Sequence, residues 1–125
     1  MRNIFVYGTL KKGYHNHRLL EGCELISDNF IVSGFKLFES GIPFMKRSNN
    51  SDMVLGEVYS VDDKTLSRLD SLEGHPNWYR REIVHTPFKD LSDDLQVIVE
   101  GYVYQKDLQN CPESPKINGV YVYGR

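Results

Sequence analysis

Apolar and polar positions alternate along this chain in short blocks, and the blocks predict more strands than helices. Ile4-Phe5-Val6-Tyr7 is an apolar run that stops at Gly8, the pattern of a buried strand running into a turn. Residues 9–17 are polar and contain a glycine, which predicts a loop. A short helix is expected after it, with Asn16 as N-cap and Gly22 just past its end. Phe30-Ile31-Val32 and Phe35-Lys36-Leu37-Phe38 predict strands, broken by Gly34 and by Gly41-Ile42-Pro43, and 48–52 reads as a loop. Residues 54–61 predict a further strand, in which Gly56 marks close approach by another backbone. The clearest helix runs from Asp63 to about Leu72, capped by Asp62-Asp63 at its positive end and stopped by His75-Pro76-Asn77. Residues 79–87 and 95–105 predict an antiparallel hairpin around the polar turn 89–94. Val120-Tyr121-Val122-Tyr123, after Pro112 and Pro115, is a last strand or an irregular tail packed over the body. No repeat and no second domain appear: residues 1–106 form one domain, and 107–125 an extension packed on it. This order predicts an α+β fold with a mixed, mostly antiparallel sheet, not an alternating parallel one.

Composition narrows the function. The 125 residues are one domain's worth, with 40% hydrophobic and 26% charged positions, and no apolar run approaches a membrane span. Fifteen basic residues against seventeen acidic give a formal charge of -2, with no basic face for nucleic acid or anionic lipid. Eight Tyr and six Phe suit a β-rich fold with an aromatic interior. Cys23 and Cys111 match neither a disulfide framework nor a metal motif, which suits a reducing compartment. The first residues lack the pattern of a signal peptide, so a cytoplasmic location is expected.

Two features carry candidate chemistry. Leu66, Leu69 and Leu72 form the apolar stripe of the predicted helix, and Glu73, seven after Leu66 and four after Leu69, points to the same side. A carboxylate there is desolvated and sits at the negative helix end. Both effects raise its pKa toward the range that general acid–base chemistry uses. If the helix instead ends at Leu72, Glu73 faces solvent. Asp70, at the margin of the stripe, suits a structural role. The second feature is the turn Tyr7-Gly8-Thr9-Leu10, which can aim successive N–H groups at one anion, with Gly8 leaving room for a ligand. No Walker loop and no G-x-S-x-G are present. His15, His17, His75 and His85 form no metal motif and read as loop or surface residues, so neither metal nor cofactor is expected.

Three motifs in order resemble the gamma-glutamylcyclotransferase-like family, and within it the gamma-glutamylaminecyclotransferase branch. They are Phe5-Val6-Tyr7-Gly8-Thr9-Leu10-Lys11-Lys12-Gly13 continuing to Asn16-His17-Arg18, then Gly56-Glu57-Val58-Tyr59, then Leu69-Asp70-Ser71-Leu72-Glu73 followed by Tyr79-Arg80-Arg81. Tyr102-Val103-Tyr104 fits the family's penultimate strand, and the resemblance spans residues 4 to about 105. It implies a small mixed, mostly antiparallel β-barrel flanked by helices, with the active site at one barrel opening. It also implies Glu73 as catalytic residue and Tyr7, Gly8, Thr9 and Leu10 as the substrate-binding turn. Tyr79 and Arg81 become wall or support residues, and Pro43 a pocket residue. The implied reaction is cleavage of a γ-glutamyl amide by intramolecular cyclisation to 5-oxoproline and a free amine, without cofactor or metal. A small-molecule substrate and a monomer are expected. The competing expectation is a non-catalytic module of this fold that binds an amino-acid-like ligand or a protein partner.

Overall fold

In a computed structural model, residues 1–88 and 98–124 are described. The elements in chain order are β1 (Arg2–Val6), a 3-10 helix (His15–Leu20), β2 (Glu24–Ser33), β3 (Phe35–Ser40), β4 (Ile42–Arg47), β5 (Met53–Val61), α1 (Asp63–Glu73), β6 (Tyr79–Val84), β7 (Val99–Tyr104), β8 (Lys116–Ile117) and β9 (Val120–Tyr121). The fold is α+β, mostly strands with few helices, as the pattern predicts.

Ile4, Phe5 and Val6 are all buried because β1 lies inside the sheet, antiparallel to β5 and parallel to β7. That explains a run with no polar alternation. β6 and β7 pair antiparallel in full register, from Tyr79 opposite Tyr104 to Val84 opposite Val99. This is the predicted hairpin; the polar turn 89–94 and the start of its second strand lie outside the described residues. β5 is the hub. β2 occupies one edge of it from Met53 to Ser60, with shifts of register between Leu25 and Phe30, while β1 and β9 share the other. Gly56 allows this crowding: a Cβ there would stand 2.3 Å from the Val6 carbonyl oxygen and 2.7 Å from the Phe5 ring.

The main sheet runs in the order β6-β7-β1-β5-β9-β8, with β2 on β5. Among the described residues its ladders do not close into a barrel. A single bridge, Ser33 N–H donating to the His85 carbonyl at 2.9 Å, joins the end of β2 to the residue just past β6. β3 and β4 form a separate two-stranded sheet in full register, so Ile42 and Pro43 belong to a strand and only Gly41 turns. The last segment joins the two sheets. Ser114 N–H donates to the Leu37 carbonyl, Pro112 accepts from Glu39, and Tyr121 pairs with Val54 of β5.

Two local expectations are corrected. The short helix is 3-10, with Tyr14 at its N-cap, and the Asn16 amide lies inside it and donates to Thr9 Oγ1. In α1 the Asp62 cap is present, its carboxylate accepting from Thr65 N–H at 2.8 Å, but the stop is Gly74 rather than His75-Pro76. Gly74 takes the left-handed conformation (φ 64°). The amides of Gly74 and His75 then donate back to the carbonyls of Ser71 and Asp70. Glu73 is therefore the last helical residue, and the alternative of a helix finished at Leu72 is excluded.

Candidate active site

A cavity of about 260 Å³ opens where the end of β1, the end of α1 and the start of β4 and β6 meet. The strand-to-turn segment supplies Tyr7, Gly8, Thr9 and Leu10, α1 supplies Leu72 and Glu73, β4 supplies Ile42 and Pro43, and β6 supplies Tyr79. Phe5, Val6, His15, Asn16 and Tyr102 complete the lining. The two features singled out from the sequence thus share one pocket.

Glu73 is half-buried, and among the described residues nothing hydrogen-bonds its carboxyl. Burial pushes its pKa from the usual 4.5 up to about 7. Leu66 and Leu69 are buried beneath it, but Leu72 is 43% exposed and forms the rim of the pocket rather than the base of the stripe.

The facing turn offers donors. Its internal bonds use carbonyls: Gly8 accepts from Lys11 N–H at 3.0 Å, Thr9 from Asn16 N–H at 3.1 Å, and Leu10 meets His17 Nδ1 at 2.9 Å. Among the described residues, these turn bonds take up none of the amides of Gly8, Thr9 and Leu10. A Cβ on Gly8 would lie 2.3 Å from Pro43 Cγ, so glycine is needed here because β4 packs directly against the turn.

Three tyrosines surround the carboxyl. Tyr7 donates to the Tyr102 carbonyl at 2.7 Å, and Tyr79 donates to the Pro43 carbonyl at 3.0 Å. Burial foremost, with the nearby Glu73 charge adding to it, raises the pKa of Tyr7, Tyr79 and Tyr102, so all three stay neutral donors. Tyr79 is also held by rings, stacked on Phe44 and edge-on to Tyr104.

Arg81 is not among the lining residues. Its guanidinium forks onto Asp70, at 2.8 and 3.2 Å, and reaches Glu100 at 3.0 Å, while Tyr102 Oη donates to Asp70 at 2.7 Å. This network ties α1 to β6 and β7 behind the pocket, which is the support half of the expectation for Arg81. Burial works against the Asp70 charge. The hydrogen bonds from Arg81 and Tyr102, with the Arg81 charge, outweigh it and hold the carboxyl below its usual range.

The lining residues that the sequence pattern left aside are Phe5, Val6, His15, Asn16, Ile42, Leu72 and Tyr102. Most read as core or loop by type, and only the register of β4 against the turn brings Ile42 in. Among the described residues no group of three His, Cys, Asp or Glu side chains could hold a metal ion, and no helix is long and apolar enough to cross a membrane.

Fold and site define a small α+β protein in which a half-buried carboxyl and a glycine-containing turn line one pocket. The family described as gamma-glutamyl cyclotransferase, AIG2-like, matches residues 4–122, and the chain belongs to it. A Methanocaldococcus jannaschii protein provisionally named a gamma-glutamylcyclotransferase is 40% identical over 85 residues, 67% of this chain and 71% of that one. Gamma-glutamylaminecyclotransferase B of Danio rerio is 38% identical over 112 residues, 82% of this chain but 58% of that protein. The chain therefore spans well under two-thirds of the zebrafish protein. The crystal structure of a mouse AIG2-like protein superposes with a TM-score of 0.63 at 24% identity, covering 100% of this chain and 97% of that one.

Proposed function

We propose that the protein cleaves a γ-glutamyl amide, such as a γ-glutamylamine, by cyclisation to 5-oxoproline. The observation that carries this reading is Glu73: a carboxyl without a partner among the described residues, raised to about 7 by burial, in one pocket with the Tyr7–Leu10 turn.

The substrate supplies its own nucleophile. Glu73, ionised, takes a proton from the α-ammonium; the freed amine attacks the γ-carbonyl carbon and closes a five-membered ring. The tetrahedral intermediate then collapses. The amide C–N bond breaks as Glu73 returns its proton to the departing nitrogen. The second proton on the ring nitrogen then passes through the same carboxylate to the released amine, which leaves as an ammonium ion, and Glu73 is a carboxylate again. A pKa near 7 suits one group to both transfers. On this reading the amides of Gly8, Thr9 and Leu10 hold the α-carboxylate or the developing oxyanion. Tyr7 and Tyr79 wall the pocket. Holding the substrate in the reactive, folded conformer contributes several kcal/mol, on the order of that seen in intramolecular reactions. On the same reading the path β2-β5-β1-β7-β6, pinned by the Ser33–His85 bridge, is a narrow barrel with the pocket at its opening, and the protein works as a cytoplasmic monomer.

Incubation with ε-(γ-glutamyl)-lysine, γ-glutamyl amino acids and glutathione, scoring 5-oxoproline, tests the reading and identifies the leaving amine. Turnover of at least one is expected. Release from none of them contradicts the proposal.

A further inference from the structure

The pocket's outer wall is held from behind by the end of the chain. Tyr123 touches two segments that flank the site. Its hydroxyl donates to the Gly41 carbonyl at 3.2 Å, and its own carbonyl accepts from Lys11 Nζ at 2.9 Å. Gly41 precedes the lining residue Ile42, and Lys11 follows the lining residue Leu10. One residue therefore spans from the donor turn to the β3–β4 wall. We infer that Tyr123 is a positioning residue, which sets the distance between the Tyr7–Leu10 turn and the Gly41–Pro43 wall and so the fit of the substrate.

Three observations support this. First, among the described residues β3 and β4 pair with each other and with no strand of the main sheet, so other contacts fix the wall. Inside the pocket these are Gly8 against the Pro43 ring and the Tyr79 hydroxyl on the Pro43 carbonyl; on the outer side the Tyr123 hydroxyl is one more. Second, the tail is anchored along its length. It pairs with Leu37 and Glu39 of β3 at its start and with Val54 of β5 near its end, so Tyr123 is presented by a fixed backbone. Third, its last residues are closely seated. The Tyr14 hydroxyl donates to the Gly124 carbonyl at 2.8 Å, the Tyr14 and Tyr123 rings lie 5.6 Å apart, and a Cβ on Gly124 would stand 1.7 Å from the Tyr14 hydroxyl.

Neither Tyr123 atom lines the cavity, so its effect on the reaction passes through the wall and the turn. It should appear in binding more than in the chemical step. This inference rests on the cyclotransfer reading for its kinetic arm and stands apart from it in a second. In Tyr123→Phe the ring and the packing remain, and only the donor to Gly41 is lost. With ε-(γ-glutamyl)-lysine as probe, or whichever γ-glutamyl compound the wild type turns over, KM is expected to rise about three- to tenfold, the equivalent of one lost hydrogen bond, with kcat within about twofold. Amide hydrogen exchange at Ile42 and Phe44 is expected to quicken several-fold, whether or not substrate is present. Tyr14→Phe loosens the tail one residue further on without touching Gly41, and serves as the comparison. Unchanged KM, a fall in kcat at constant KM, or an equal rise in KM in Tyr14→Phe each overturns the assignment. If the wild type turns over no γ-glutamyl compound, the cyclotransfer reading falls by itself and exchange alone decides: faster exchange at Ile42 and Phe44 in Tyr123→Phe upholds the positioning role, and unchanged exchange ends it.

Discussion

Glu73 sits where folding gains nothing from its charge. Burial raises its pKa from 4.5 to about 7, so between these values the unfolded chain gives up the proton while the folded chain keeps it. The stability associated with the neutral carboxyl is fully present below pH 4.5 and is lost as the pH rises through about 7. Glu73→Gln cannot ionise. Its advantage over the wild type in urea unfolding should be small near pH 4 and grow to about 3 kcal/mol or slightly more above pH 7, because each tenfold difference in proton affinity between folded and unfolded chain is worth about 1.4 kcal/mol. A flat difference across that range would show that the carboxyl is not buried. Gly8 acts through space rather than through backbone freedom. Its missing Cβ is filled by the Pro43 ring, at 2.3 Å, which cannot swing aside as a flexible chain would. Gly8→Ala should therefore displace the wall, lower stability by about 1–3 kcal/mol, the usual range for overpacking, and weaken substrate binding. Unaltered KM and urea midpoint in that variant would remove the argument.

At the scale of elements, the position of Glu73 depends on how α1 is fastened. The helix buries Leu66 and Leu69 and is tied to β6 and β7 by the fork of Arg81 on Asp70, which Tyr102 completes. Asp70→Asn removes the forked partner of the partly buried guanidinium and leaves it Glu100 as counter-charge. It should cost about 1–3 kcal/mol by chemical denaturation, with a smaller effect on turnover than any change at Glu73. In the wild type this contribution is lost on acidification, as the pH falls through the depressed pKa of Asp70. The helix was legible because its cap, its leucine spacing and its acids agree. Its true stop was less so, because His75-Pro76 masks the signal of Gly74, whose left-handed turn ends the helix. Leu72 has the spacing of a core residue, yet the pocket opens beside it and leaves it at the rim. Asn16 is a good cap by type, but the helix begins one residue before it, at His15, and its amide donates to Thr9 Oγ1.

For the whole molecule, sequence pattern reached the class of fold and the two halves of the pocket, but not how they meet. The pattern of β1 and the wheel of α1 are local, whereas the meeting of Gly8 with Pro43 depends on a separate hairpin, β3–β4, whose second strand begins at residues that read as a break. The tail was harder still. Two residues of β9 carry no periodicity, and only tertiary contacts with β3, β5 and Tyr14 give it a place. Arg81 had the right neighbourhood, and its charge partners, Asp70 and Glu100, lie eleven and nineteen residues away in sequence. These parts converge on one carboxyl shared between two proton transfers. The most direct test compares Glu73→Gln with the wild type for 5-oxoproline release from the preferred γ-glutamyl substrate, with folding of both checked by circular dichroism. The account predicts a folded variant whose kcat falls by about 10²–10⁴, the span of a lost general acid–base. A folded variant that releases 5-oxoproline at the wild-type rate contradicts it.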